Sequence, residues 1–249
     1  MSKENFIITG FDESYWPRWG SSWILSLREK AKYEGNVFVV DCGLSDFTKN
    51  KLISKNVFFL NSNPELPDVR TKTIDAIANY AKDYSGNYVY WDADVYFQES
   101  IDEIFEIISD KFIISNNHNH GFLAAPFYQW SFIKDIENFI RLGHDVVSHY
   151  SIFNSLLLDF SNLVTLVDNT WNFTEIHKVL NIKKSIEVNG VIQKVIHPSG
   201  PLKDILKNKN ILFDEKYKAE YVDFIEKQTI SSRRLVSNKK SKNKNKKRN

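Results

Sequence analysis

The chain has 249 residues, 42% hydrophobic and 26% charged, a composition typical of a globular protein that buries a sizeable core as one large domain, with or without a subdomain. Its single cysteine, Cys42, excludes an internal disulfide framework and fits a reducing compartment. No apolar run approaches the roughly 20 residues of a spanning helix, and the first residues lack the layout of a signal peptide, so we expect a cytoplasmic protein.

The chain opens with the pattern of a strand, a helix and a second strand. Residues 6–9 are apolar, Pro17 suits the first turn of a helix that continues to residue 31, and residues 37–40 form a hydrophobic run. These lengths predict a βαβ unit with parallel strands and a right-handed crossover. Ligands of parallel sheets bind beyond the carboxyl ends of the strands. That rim is predicted to carry Thr9, Gly10, Phe11, Asp41 and Asp92.

A third strand is predicted at residues 57–60 and a helix at 69–82, where apolar residues recur at helical spacing. Arg70 and Lys72 lie in the first turn of this helix. Basic residues there oppose the helix dipole, which favours a role toward an anion or a partner. Plain solvated surface charge is the alternative.

Residues 88–97 form a β-branched and aromatic run interrupted by Asp92 and Asp94. Such a run predicts a buried strand, and side chains two residues apart in extended backbone point to the same side. Two neighbouring carboxylates repel each other, so a cation between them is the natural resolution. Helix capping or a solvated turn is the alternative, because a short motif of this kind also arises by chance.

Further elements follow this run. A helix is predicted at 100–108, with Ser100 as N-cap and Glu103 at the third helical position, and a strand at 112–115. His118 and His120 occur in the polar loop 116–121, where loop or substrate contacts are favoured over metal ligation. The small-residue segment 122–126 follows. Helices are predicted at 129–142 and 149–160, and a strand at 163–168. Their apolar side chains are expected to form core and not a functional site.

The last informative stretch, residues 191–203, is an alternating strand that ends at His197 and is followed by a turn and Lys203. A lone histidine at a strand end is more often structural. Together with Asp92 and Asp94 it makes a reasonable ligand set for Mn²⁺ or a similar divalent ion, leaving positions open for phosphate oxygens.

These features together resemble the GT-A fold glycosyltransferases, most closely the family 8 group that includes glycogenin and bacterial lipooligosaccharide galactosyltransferases. The resemblance runs from about residue 6 to about residue 205 and is carried by four motifs. They are Thr9-Gly10 after the first strand, Asp92-Ala93-Asp94, the segment 101–105, and His197-x-x-Gly200-Pro201-x-Lys203.

The resemblance implies one α/β GT-A (Rossmann-like) domain at residues 1–228, with a mixed, mostly parallel central sheet flanked by helices. It also implies a nucleotide-diphosphate sugar donor, usually a UDP-sugar, bound through Mn²⁺ or Mg²⁺ held by Asp92, Asp94 and His197. Lys203 would contact the diphosphate, and residues 121–125 would border the sugar. The expected donor-binding residues are Thr9, Gly10, Phe11, Asp41, Lys72, Gly121, Ala124, Gly200 and Lys203.

The resemblance leaves the acceptor side open. Where the family carries Asp-Gln-Asp-x-x-Asn, the best-aligned stretch here, residues 149–154, retains only Asn154. No catalytic residue is therefore predicted. The expected acceptor is a saccharide, a lipid-linked sugar or a protein, and the stereochemistry is not fixed.

The segment 229–249 is predicted to be a disordered tail, because it is rich in Lys and Asn and poor in hydrophobic residues. Its charge would draw it to an anionic membrane surface or, nonspecifically, to nucleic acid; a solubilising terminus is the bland alternative. We expect no specific nucleic acid partner.

Two other functions compete with glycosyl transfer. A nucleotidyltransferase would need a Gly-rich, basic loop after the first strand to bind phosphate. Residues 10–15 of this chain are instead acidic and aromatic. A noncatalytic nucleic-acid-binding protein would act through the basic tail.

Overall fold

The computed structural model of the chain describes residues 4–66, 68–81, 86–115, 122–126, 129, 162, 164–172, 174 and 187–197. The predicted helices 129–142 and 149–160 lie outside this part except for residue 129, and so do His118, His120 and the basic tail. The domain boundary at residue 228 therefore stays a prediction. No helix in the described part of the chain is long and apolar enough to cross a membrane.

Extended segments alternate with helices along the described chain. The strands are β1 Glu4–Phe11, β2 Asn36–Asp41, β3 Val57–Asn61, β4 Gly86–Trp91, β5 Tyr96–Phe97, β6 Phe112–Ser115, β7 Phe122–Pro126, β8 Val164–Val167, β9 Glu187–Val188, β10 Val191–Ile192 and β11 Val195–Ile196.

Within the described residues, seven of these strands form one central sheet in the order β3-β2-β1-β4-β7-β6-β8. All neighbouring pairs are parallel except those of β7, which runs antiparallel to both β4 and β6. The predicted mixed, mostly parallel α/β sheet is confirmed. The small-residue segment is itself the reversed strand β7, which lies between β4 and β6 in the interior of this sheet.

The register brings the carboxyl ends of β1, β2 and β4 to one edge. Phe11 pairs with Asp41, and Ile8 pairs with Tyr90 two residues before Asp92. Asp92 therefore leaves β4 level with the end of β1. This edge is the predicted ligand-binding rim.

Helices connect the parallel strands. Between β1 and β2 the chain is helical from Trp16 to Lys30, as a π-helical turn Trp16–Gly20, helix α1 Ser21–Leu25 and a second π-helical turn Ser26–Lys30. The predicted helix 17–31 is thus present, with wider turns at both ends. Helix α3, Val69–Ala81, packs against β1, β2 and β3.

Two helices differ from the sequence prediction. Helix α2, Asp46–Ile53, was not predicted; the Ser45 hydroxyl caps it by accepting the N–H of Thr48 at 3.2 Å. Helix α4, Glu103–Ile107, begins later than predicted, and Ser100 is not its N-cap. The Ser100 hydroxyl instead bonds the carboxylate of Asp102 at 3.2 Å, so the predicted capping box is wrong.

One face of the sheet packs against α3 through a continuous apolar core. The buried members of this core are Phe6, Ile8, Phe38, Val40, Leu60, Ile74, Ala76, Ile77, Tyr88, Tyr90, Phe112, Ile114, Leu123 and Ala125. Burial of this many apolar side chains dominates the folding free energy, so the strands that end at the rim are held on a rigid base.

Two short antiparallel ladders complete the described strands. Strand β9 pairs with β10, and β11 pairs with β5, with Val195 opposite Phe97 and Ile196 opposite Tyr96. The second ladder joins a late part of the chain to the segment that follows Asp94.

Candidate metal and donor site

The two aspartates lie in a turn immediately after β4. The Val95 N–H donates to the Asp92 carbonyl at 3.3 Å, which closes the turn. Asp94 is 5% exposed, whereas the Asp92 side chain is 29% exposed. The carboxylates therefore converge through a turn and not through the extended backbone that the sequence pattern predicted.

His197 reaches this turn through the ladder of β5 with β11. Gln98 extends the ladder by donating its N–H to the Lys194 carbonyl at 2.8 Å. His197 follows β11 directly and is 6% exposed. Its Nε2 lies 3.2 Å from Asp94 Oδ1 and 3.7 Å from Asp92 Oδ2. Residues more than 100 positions apart in sequence thus meet at the sheet edge.

The three side chains fit a divalent cation. One ligand atom from each of Asp92, Asp94 and His197 lies within 4.8 Å of the other two. Ligand atoms about 2.1 Å from an ion and at right angles to each other stand about 3 Å apart, close to the separation of Nε2 from Asp94 Oδ1. Carboxylate oxygens with an imidazole suit Mn²⁺ and related ions.

Two buried side chains orient these groups, and neither was predicted as a site residue. The Tyr90 hydroxyl donates to Asp92 Oδ1. Asn172 Oδ1 lies 3.0 Å from His197 Nδ1, and Asn172 is fully buried. Tyr90 was predicted only as part of a strand and Asn172 only as part of a loop.

Asp41 stands at the end of β2, as predicted, and is already engaged by the protein. It accepts from Leu44 N at 2.7 Å and Gly43 N at 3.0 Å, and Lys49 Nζ lies 2.5 Å from its other oxygen. Burial alone would raise the pKa of Asp41, but the hydrogen bonds from Lys49, Leu44 and Gly43 outweigh it and lower the pKa. Asp41 thereby fixes the loop that leaves β2.

The three predicted residues of β1 are buried. Thr9 and Phe11 are fully buried, and Phe11 packs against Trp16 with ring centroids 6.3 Å apart. A Cβ on Gly10 would lie 1.8 Å from Thr73 Oγ1, so Gly10 allows α3 to approach the strand. In the described residues, Thr9 Oγ1 has no hydrogen-bond partner. Their predicted contact with the nucleoside stays a prediction.

The remaining predicted residues are placed as follows. Lys72 lies on α3 close enough to Cys42 for its charge to favour the thiolate, which puts it near the rim. Ala124 is fully buried in β7, opposite Val89 of β4. Gly121, Gly200 and Lys203 lie outside the described residues.

Comparison with known proteins gives a structural likeness. No family model and no curated protein matches the chain. Among solved structures, the galactosyltransferase LgtC, in complex with donor and acceptor sugar analogues, matches with a TM-score of 0.63 at 16% identity, over 88% of this chain and 95% of LgtC. The glycosyltransferase GlyE of Streptococcus pneumoniae TIGR4 matches with a TM-score of 0.60 at 11% identity, over 91% of this chain and 64% of GlyE.

A third glycosyltransferase extends the comparison. Mouse xyloside xylosyltransferase 1 matches with a TM-score of 0.52 at 12% identity, over 80% of this chain and 98% of the mouse protein. At these identities a structural match establishes the fold, and activity must be argued from the site. The chain has the GT-A glycosyltransferase fold that the sequence resemblance predicted.

Proposed function

We propose that this chain is a metal-dependent glycosyltransferase that moves a sugar from a nucleotide-diphosphate donor, a UDP-sugar, to a saccharide, lipid-linked or protein acceptor. The observation that carries the proposal is the cluster of Asp92, Asp94 and His197 at the carboxyl edge of a GT-A sheet. That edge is where open parallel sheets bind ligands. LgtC, which has this fold, was solved with donor and acceptor sugar analogues, which supports a sugar substrate.

Asp92, Asp94 and His197 would hold Mn²⁺ or Mg²⁺. A divalent cation held there neutralises the negative charge that grows on the diphosphate as the glycosidic bond breaks. The protein contributes rigidity, because Tyr90 fixes Asp92 and the burial of Asp94 and His197 restricts their side chains. A pre-organised site of this kind loses little conformational entropy when the donor binds.

Other parts of the donor site are assigned as part of the same proposal. Asp41 holds the loop after β2 against the rim where the nucleoside would lie. Gly200 and Lys203 would contact the diphosphate, since a lysine offsets phosphate charge. Gly121 would border the sugar. The backbone of Thr9, Gly10 and Phe11 would meet the nucleoside, because the side chains of Thr9 and Phe11 are buried and Gly10 has none.

The location of the enzyme is the last part of the proposal. We place it in the cytoplasm, with the basic segment 229–249 attracted to anionic lipid at about 1 kcal/mol per basic residue near the surface. Sedimentation of the full chain with vesicles tests this. Binding that requires anionic lipid and falls with salt is expected, and equal binding to neutral vesicles would contradict it.

The test of the enzymatic proposal uses Mn²⁺ with a panel of nucleotide sugars. We expect Mn²⁺-dependent thermal stabilisation by at least one nucleotide sugar and slow hydrolysis or transfer of its sugar. Asp92→Asn and Asp94→Asn should each lower the activity by more than 100-fold, because loss of a residue that only supports a metal ligand already costs about 10–100-fold. Asp110→Asn, at an exposed aspartate beyond α4, is the matched control and should be active.

Two results would refute the proposal. One is full activity of a folded Asp92→Asn or Asp94→Asn variant. The other is undiminished activity in excess chelator. If no nucleotide sugar binds and the full chain instead binds nucleic acid with a steep salt dependence, the binding-protein alternative gains support.

A further inference from the structure

We propose that Asn172 is a positioning residue that selects the tautomer and ring orientation of His197 and so prepares Nε2 as a metal ligand. This inference rests on the proposed metal-dependent function of the same site. It assigns a role to a residue outside the candidate ligand set of Asp92, Asp94 and His197.

The first step concerns the hydrogen bond itself. Asn172 Oδ1 and His197 Nδ1 are 3.0 Å apart, and both residues are buried, at 0% and 6% exposure. An amide oxygen only accepts hydrogen bonds, so Nδ1 must carry the hydrogen. In a neutral imidazole the other nitrogen, Nε2, is then left with its lone pair, and metal-bound histidines coordinate through such a nitrogen.

The second step concerns what Nε2 faces. Its nearest carboxylate oxygens are Asp94 Oδ1 at 3.2 Å and Asp92 Oδ2 at 3.7 Å. A lone pair pointed at two carboxylates is unfavourable in a poorly solvated site, and a cation between the three atoms turns this repulsion into coordination. The hydrogen bond to Asn172 therefore disfavours the tautomer with its hydrogen on Nε2, in which Nε2 could not coordinate the ion.

The third step concerns the turn that carries Asn172. Asp168 Oδ1 accepts the Thr170 N–H at 2.9 Å, and the Asn172 N–H donates to the Asn169 carbonyl at 3.2 Å. The buried indole of Trp91 donates to the Trp171 carbonyl at 3.1 Å. Trp91 is the last residue of β4, so Asn172 is tied to the strand that ends at Asp92.

The same turn is also tied to the strand that carries His197. Lys194 Nζ lies 4.8 Å above the Trp171 ring and 2.7 Å from Glu103 Oε1. Lys194 precedes β11, which ends one residue before His197. The turn of Asn172 is thus held by contacts to strand β4 and to the segment that carries His197. A positioning residue needs such rigid support.

The test compares two substitutions with a control in the same turn. Asn172→Leu keeps the size but cannot accept a hydrogen bond, whereas Asn172→Asp keeps an acceptor. Thr170→Ala removes the hydrogen bond from the Thr170 hydroxyl to the Asp168 carboxylate. It leaves the hydrogen bond between Asn172 and His197 intact. Affinity for Mn²⁺ alone is measured by electron paramagnetic resonance of the free ion. We expect 10–100-fold weaker binding for Asn172→Leu and near-native binding for Asn172→Asp and Thr170→Ala.

A spectroscopic readout separates positioning from packing. Nitrogen-15 spectra of the metal-free protein with a neutral imidazole should show His197 with the hydrogen on Nδ1, and Asn172→Leu should give a mixture of tautomers. A hydrogen on Nε2 in the wild type would overturn the inference even if Asn172→Leu fails to fold. So would Asn172→Leu that binds Mn²⁺ normally, or Asn172→Asp that binds as weakly as Asn172→Leu.

Failure of the proposed function gives a different result. If the wild type binds no Mn²⁺, or Asp94→Asn binds it as the wild type does, the metal-dependent function is wrong, and the His197 tautomer then tests the hydrogen bond alone. If Asp94→Asn no longer binds Mn²⁺ but Asn172→Leu binds it normally, the metal site is supported and the proposed role of Asn172 is wrong.

Discussion

Gly10 offers the sharpest test of whether a residue predicted to bind the nucleotide-sugar donor instead has a packing role. A Cβ at this position would lie 1.8 Å from Thr73 Oγ1 and 3.0 Å from Thr73 Cβ. Gly10→Ala therefore forces α3 or the Thr73 side chain to move. In the Thr73→Ala background the closest atom is gone, and the 3.0 Å contact with Cβ remains.

The size of the effect follows from three contributions. Overpacking a well-packed site costs about 1–3 kcal/mol. Rotating Thr73 also breaks its 2.7 Å hydrogen bond to the Val69 carbonyl, at about 1 kcal/mol. Alanine is better than glycine in a strand by about 0.5–1 kcal/mol, which offsets part of this. We expect Gly10→Ala to lower the free energy of unfolding by about 2 kcal/mol.

Urea unfolding of the wild type, both single variants and the double variant gives the coupling between the two sites. In the Thr73→Ala background, Gly10→Ala should cost less than about 1 kcal/mol, so the coupling should be at least about 1 kcal/mol. Equal costs in both backgrounds would refute the packing argument. Unchanged stability together with lost binding of a nucleotide sugar would instead support a direct contact of Gly10 with the donor.

Two further predictions use titratable groups near the same rim. Burial, aided by Asp41 and Asp12 and opposed by Thr73 and Lys72, raises the pKa of Cys42 from 9.0 to about 11. Labelling of this only cysteine by a thiol reagent at pH 8 should be about 100-fold slower in the folded protein than in urea; equal rates would contradict this. The lowered pKa of Asp41 stabilises the folded protein above the unfolded-state pKa, and this stabilisation is lost as the pH falls through the folded-state value. The unfolding midpoints of wild type and Asp41→Asn should therefore differ at pH 7 and converge in acid; a constant difference would argue against the pairing.

Local sequence patterns predicted most of the described sheet. Continuous apolar runs marked β1, β2, β4 and β6, because strands buried on both faces need apolar side chains throughout. The edge strand β3 was also predicted from an apolar run, although its Phe58 is exposed. Helix α2 was missed because it is polar, with Thr48 and Leu52 as its buried residues. Strand β7 was recognised only as a small-residue segment and not as a strand, since alanine has little strand propensity.

The misassigned cap of α4 shows how a local motif can be outcompeted. Ser100 and Glu103 have the spacing of a capping box, but the Ser100 hydroxyl donates to the Asp102 carboxylate at 3.2 Å. Its oxygen accepts the Asp102 N–H at 3.4 Å, so Ser100 forms a local turn before the helix and does not cap it.

The sequence by itself determined the parallel βαβ start, the strand that runs into Asp92 and Asp94, and the strand that ends at His197, because each depends on short-range periodicity. Tertiary structure decided how these pieces form a site. The ladder of β5 with β11 brings His197 within 3.2 Å of Asp94, and the indole of Trp91 fixes the turn of Asn172. Contacts between residues 80 or more positions apart leave no periodic trace in the sequence, since they arise only when separate strands pack together.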